Sequence, residues 1–219
     1  MGITNKVRIL ITGASGTGTS TLAKLLAYHY GISWFDLDDF YWISKEPKYT
    51  VKRSLEKREQ LLATATNQAV NWIISGSLLY WGNFLVQSID LVVFLTVPTK
   101  ERLKRIIARE ISIFGKKALE KGGSREQLFQ NFISWAESYD SGKPPKCCKK
   151  LHDQWSRNLH DQWLLKLPCP ILNIDGNQNN QERLKIVIEK FNLLTQLHNS
   201  IHNGFNSLDQ CYTWNMKLT

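Results

Sequence analysis

The sequence contains no apolar stretch approaching the roughly 20 residues needed to cross a bilayer, so nothing in it calls for a helical membrane span. The opening residues, Met1-Gly2-Ile3-Thr4-Asn5-Lys6, hold no apolar segment of signal-peptide length. Lys6 stands where an N-myristoylation signal requires Ser or Thr. We therefore expect a cytoplasmic protein with no membrane partner. Cysteine is scarce, at 4 in 219 residues. Cys147 and Cys148 are adjacent, Cys169 and Cys211 are isolated, and no C-x-x-C pair exists, which argues against a zinc knuckle. In a reducing compartment Cys147 and Cys148 are expected as free thiols. Acidic residues are the minority charge, 19 against 28 Lys and Arg, for a net +9. The surplus is concentrated, because residues 97–158 carry 14 basic and 7 acidic side chains. Phosphates or nucleic acid are therefore candidate ligands. A solvated lysine-rich surface would give the same count.

What is present is an alternation of short apolar runs and amphipathic ones. Residues 7–12, 32–37, 71–75, 91–97 and 170–174 read as strands, the fourth being the most apolar. Residues 19–30 carry Leu22, Leu25 and Leu26 at helical spacing and stop at Gly31, a favourable helix end. Residues 54–68, 99–113, 125–137 and 181–197 also read as helices. Strands alternating with helices predict an α/β fold, with a five-stranded parallel sheet covered on both faces. Ligands of such sheets bind beyond the carboxyl ends of the strands. That directs attention to the residues after Thr12, Leu37, Ser75 and Val97.

The first of these junctions is Gly13-Ala14-Ser15-Gly16-Thr17-Gly18-Thr19-Ser20-Thr21. Against the phosphate-loop pattern G-x-x-x-x-G-K-[ST], Gly13 and Gly18 have the required spacing and Ser20 fills the hydroxyl position. Glycines let backbone N–H groups converge on a phosphate, and the following helix adds its dipole. Ser20 is placed to ligate Mg2+. The motif lysine is replaced by Thr19, which can donate a hydrogen bond but carries no charge.

This segment resembles the P-loop of the adenylate-kinase-like phosphotransferases, the nucleoside monophosphate and small-molecule kinases. Some members, archaeal cytidylate kinases among them, also have Thr at the lysine position. The resemblance implies a three-layer P-loop NTPase fold with a helical lid, and ATP and Mg2+ as cofactors. On this basis residues 1–195 form a P-loop kinase-like domain, with the lid at about 110–165, and residues 196–219 form a C-terminal tail. No N-K-x-D guanine-binding sequence occurs, which disfavours a GTPase.

At the second junction, Asp36 and Asp38 are two apart. On a strand both would face the space beyond the sheet. One can serve a metal and the other an acceptor hydroxyl. The D-x-D pattern is similar to that of shikimate- and gluconate-type kinases, which implies the metal role for Asp36 and the acceptor role for Asp38. Asp39 is the substitute should the strand run one residue further. A helix cap built from Asp is the competing reading. Phe40, Tyr41 and Trp42 could stack on a base or fill the core.

At the third junction, Ser75-Gly76 stands where nucleotide kinases usually have Asp-Gly. Leu78-Leu79-Tyr80-Trp81-Gly82-Asn83 then offers an aromatic wall. At the fourth, Arg102, Arg105 and Arg109 share one helix face. The R-x-x-x-R spacing of Arg105 and Arg109 resembles the arginines that lead into the lid in the same family, which makes these two candidates to supply the charge missing at Thr19. A solvated basic face paired with Glu101 and Glu110 is the alternative.

Residues 151–155, Leu-His-Asp-Gln-Trp, recur at 159–163, a local duplication of about two helical turns. Two His-Asp pairs are too few for a metal set. The turn Asp175-Gly176-Asn177 is a weak match to the family's adenine-site turn. The expected activity is transfer of the ATP γ-phosphoryl group to a nucleoside monophosphate or other small hydroxylated acceptor. The alternative is an ATP-binding sensor or degenerate kinase. Nucleic acid is not expected as a partner, because the basic cluster coincides with the lid span. The acceptor's identity and the oligomeric state stay open at this stage.

Overall fold

A computed structural model describes residues 6–143 and 156–202. Five strands, β1 (Arg8–Gly13), β2 (Ser33–Asp36), β3 (Trp72–Ser75), β4 (Leu91–Thr96) and β5 (Ile171–Asp175), form one sheet in the order β2-β3-β1-β4-β5. All four pairings are parallel. The expected strands are all present, displaced by no more than a residue or two. β1 is central and buried on both sides, which is why it reads as an unbroken apolar run rather than an alternating one.

Successive side chains on each strand enter opposite layers. Ile9, Ile11, Ile73, Val93 and Leu95 pack in one core with Leu22 and Leu26 of α1 (Thr19–Tyr30) and Val187 and Phe191 of the last helix. Leu10, Trp72, Ile74, Val92 and Phe94 enter the other core. There they meet Leu62 of α3 (Leu55–Gln68), Leu85 of a 3-10 turn (Asn83–Ser88) and Leu164 of α7 (Arg157–Leu164). The last helix is α8 (Asn180–His202). The result is the three-layer arrangement read from the sequence.

The 3-10 turn was not anticipated. Gly82 at φ +70 begins it, and Glu59 accepts the Gly82 N–H at 3.2 Å, which ties the start of the turn to α3. α4 (Thr99–Phe114) leads to α5 (Lys116–Leu119) and α6 (Glu126–Glu137). Ile106 of α4 packs with Trp135 and Ala136 of α6 in a third, smaller cluster. α7 falls in the span we assign to the lid, yet Leu164 belongs to the second core and Trp163 packs against it. That part of the span is seated on the sheet in this structure. Among the described residues no helix is long and apolar enough to cross a membrane.

Candidate functional site

The loop after β1 has the backbone the sequence required. Gly13, Gly16 and Gly18 all have positive φ. A Cβ on Gly16 would lie 2.7 Å from the Arg102 carbonyl oxygen, so any side chain there would force α4 off the loop. Thr17 is buried, and its Oγ1 donates to the Ala14 carbonyl at 2.8 Å. The Leu22 N–H donates to Gly18 O at 3.0 Å, starting α1 without a side-chain cap. The N-terminal N–H groups of α1 and its dipole are thereby left facing the loop.

Ser20 and Asp36, the pair assigned to the metal, are brought together. The Ser20 hydroxyl donates to Asp36 Oδ2 at 2.9 Å. Burial raises the Asp36 carboxyl, and hydrogen bonds from the Asp38 N–H and from Ser20 pull it back. The two groups present oxygen donors only, the set that a hard cation such as Mg2+ takes.

Asp38 is not on the strand. β2 ends at Asp36, whose Oδ1 accepts the Asp38 N–H at 3.2 Å and caps a short helix, α2 (Leu37–Tyr41). The period-two argument that aligned the two aspartates therefore fails. A helix turn, with Asp36 as its cap, sets their separation instead. The two carboxylates still lie close enough for Asp36 to act electrostatically on Asp38. Asp38 remains reachable by solvent, while the surrounding protein and then the nearby Asp36 charge push its carboxyl up to about 6. Arg109 and a hydrogen bond from Trp42 oppose this rise.

The three arginines on α4 part company. Arg102 is 1% exposed and spends every N–H on protein: Val97 O, Ser15 O, Ala136 O, Thr99 Oγ1 and Asp140 Oδ2. It bolts the P-loop to α4 and α6. Arg105 donates to Gly176 O and Asn177 Oδ1, both at 3.1 Å, which ties it to the turn after β5. Arg109 is exposed and paired with Glu110 at 3.1 Å, part of the solvated-face reading, but it also acts electrostatically on Asp38.

A short antiparallel connection follows α2, in which Ile43 N donates to Val51 O and Arg53 N to Tyr41 O. It brings Tyr49 close enough to the aspartates that burial and then Asp38 raise its phenol. Tyr41 packs edge-on with Trp42 and Trp81, and the Arg58 guanidinium lies 3.7 Å from its ring centre. Trp42 is buried, and Phe40 and Tyr41 pack against the second core, so these aromatics are mostly wall. At the third junction the position that lacks an acid has a structural use. Ser75 is buried and its Oγ accepts the Trp34 Nε1–H at 3.0 Å. Leu78 and Trp81 are core, and Tyr80 is exposed at φ +65.

The second Leu-His-Asp-Gln-Trp copy lies in α7. His160 is buried between the Tyr139 hydroxyl at 2.8 Å and Ser77 Oγ at 2.9 Å, and Asp161 pairs with Arg157. Among the described residues no group of His, Cys, Asp and Glu is gathered for a metal. The first copy, Cys147, Cys148, Cys211 and most of the tail lie outside the described residues. Cys169 is a free thiol. A groove of about 360 Å3 lies away from the loop, between the 3-10 turn and α7, lined by Leu79, Tyr80, Trp163 and Lys166 among others.

The AAA domain family matches residues 9–121, from β1 through α5. YqaC of Bacillus subtilis (strain 168), itself uncharacterized, is 36% identical over 184 residues, 84% of this chain and 97% of that protein. This chain belongs to the AAA domain family. A cytidylate kinase from Thermococcus kodakarensis is 29% identical over 135 residues, 54% of this chain and 65% of that enzyme. A deoxyadenosine kinase from M. mycoides, solved with bound dATP, aligns over 85% of this chain and 100% of its own at 15% identity and a TM-score of 0.49. The family is a kinase-like P-loop family, in keeping with the resemblance carried by residues 13–21.

Two residues beside the loop escaped the sequence reading. Arg183 reaches Thr17 from α8, and Tyr49 reaches the aspartates from the connection after α2. Neither sits in a motif. Only the third dimension places them.

Proposed function

We propose that the protein is an ATP-dependent phosphotransferase that moves the γ-phosphoryl group to a nucleoside monophosphate or another small hydroxylated acceptor. The observation that carries this is the Ser20–Asp36 hydrogen bond at the mouth of the P-loop, with Asp38 two residues further on, in the first turn of α2, and reachable. Ser20 and Asp36 would hold Mg2+, which would neutralise charge on the transferring phosphates when bound. The loop N–H groups from Gly13 to Thr21 bind the donor phosphates. Asp38, with a carboxyl near 6, is tuned to take the acceptor proton at neutral pH. Arg109 acts electrostatically on that carboxylate and is the α4 arginine we assign to the migrating charge. Arg105, tied to residues 176–177, acts at the donor side instead.

The test is ADP release from Mg-ATP, alone and with a panel of nucleoside monophosphates and small alcohols. Release stimulated by one acceptor supports the reading and names its substrate class. A melting temperature raised by Mg-ATP with no release for any acceptor would favour the sensor, the reading that the missing lysine at Thr19 motivates.

A further inference from the structure

The P-loop of this protein has an uncharged residue where its pattern carries a lysine, and a buried cation behind it. Arg183, in the first turn of α8, is 6% exposed. Its Nη1 donates to the Thr17 carbonyl in a long bond of 3.4 Å, and lies 2.9 Å from where a Gly18 Cβ would be. Gly18 thus makes room for the guanidinium as well as for the turn. Nη2 donates to Asn180 Oδ1. Nε is buried with no hydrogen-bond partner among the described residues. No carboxylate among them forms an ion pair with Arg183, and the charge that acts on it is a like one, Arg105.

A buried charge without a counter-charge is costly. Burial and Arg105 together lower the Arg183 pKa, in keeping with that imbalance. An anion in the adjoining loop would restore the balance. The path is short, because Thr17 C=O and Gly18 N–H are the two ends of one planar peptide unit. A cation donating to the carbonyl polarises the N–H at the other end, the group a phosphate loop uses.

We propose that Arg183 supplies, from behind the loop and through the Thr17–Gly18 peptide, the positive charge that Thr19 does not supply from in front. It is a positioning residue for the donor phosphates. The proposal rests on the reading that this loop binds nucleotide phosphates.

The experiment is binding of Mg-ATP and of inorganic tripolyphosphate to the full chain, by calorimetry, in a two-by-two set of wild type, R183M, T19K and T19K/R183M. Ligand-free melting temperatures check folding. R183M is expected to weaken both ligands by about tenfold or more, the scale of a charge-assisted hydrogen bond. T19K is expected to restore most of that loss in R183M, yet to improve the wild type by less than about threefold, since the charge is already present there.

R183M binding both ligands as wild type does would overturn the proposal. So would a loss that T19K does not repair, which marks a merely structural arginine. A loss confined to ATP and absent with tripolyphosphate would place Arg183 at the nucleoside and overturn it too. Should R183M not fold, T19K alone decides: a gain of tenfold or more in the wild type would show that the loop still lacks a charge. Wild type that binds neither ligand removes the nucleotide reading and this proposal together. Normal wild-type binding with unaltered R183M removes only the latter.

Discussion

The Ser20 hydroxyl donates to Asp36 Oδ2 at 2.9 Å, joining the first turn of α1 to the end of β2. Asp36 also caps α2 through Oδ1. One carboxylate thus carries two duties, and substitutions separate them. D36N keeps an oxygen for the cap but loses charge. We expect it to fold with nearly wild-type stability and to lower acceptor-stimulated ADP release by about a hundredfold, the scale of a lost electrostatic contact in phosphoryl transfer. D36A should in addition lose about 1 kcal/mol of stability through the cap. Turnover in D36N equal to wild type would remove Asp36 from the site.

Asp38 gives a pH signature. Its carboxyl is raised to about 6 in the folded protein, so kcat/KM is expected to rise with pH through that value and level off above it. D38N should lose that limb along with about two orders of magnitude or more in rate. The stability sign is opposite. A carboxyl raised by folding favours the folded state below its unfolded pKa near 3.8, and this contribution is lost as pH rises through about 6. D38N is therefore expected to be at least as stable as wild type at pH 7. Denaturant melts across pH 4 to 7 check this.

Arg102 is an anchor rather than a clamp. Five acceptors surround it, and three are backbone carbonyls from the P-loop, the end of β4 and α6. R102M would take a donor from each of those carbonyls, two of them in buried hydrogen bonds, at a cost of about 3 kcal/mol. Its ionic partner Asp140 is 47% exposed and adds little to that figure. R102K is expected to repair little, since an ammonium cannot reach five separated acceptors. Urea unfolding of the two variants measures both effects.

His160 sets an acid limit on the fold. Burial, with Arg157 adding to it, lowers its pKa from 6.5 to about 4. The unfolded chain binds this proton first, so stability is expected to fall as pH drops from about 6.5 to about 4. The full contribution is roughly 3 kcal/mol. An H160F variant should flatten that slope, although it removes the imidazole's hydrogen bonds to Tyr139 and Ser77 and so starts from lower stability. The same slope in H160F and wild type would assign the acid sensitivity elsewhere.

The sheet and its helices were legible because each strand is a continuous or alternating apolar run bounded by turn residues. The loop from Gly13 to Thr21 was legible because its glycines have fixed spacing. The Asp36–Asp38 relation was only half legible. The residues were found, but a cap competes with strand continuation on a scale of about 1 kcal/mol, and the pattern of aspartates does not say which wins. The arginine face was less so. Arg102, Arg105 and Arg109 look equivalent at helical spacing, and α6 and the 176–177 turn made them different. Arg183 and Ser75 acquired their meaning from partners 166 and 41 positions away.

Near the end of α6 the chain nearly closes on itself. Arg157 N donates to Tyr139 O at 2.9 Å, and a Cβ on Gly142 would lie 3.5 Å from that of Ser156. Because these two points are held side by side, the packing of the described residues sets no particular length for the chain that joins them. The eight-residue shift between the two Leu-His-Asp-Gln-Trp copies is an increment of that kind. An added eight residues in this stretch leave the sheet, the loop and the aspartates in register.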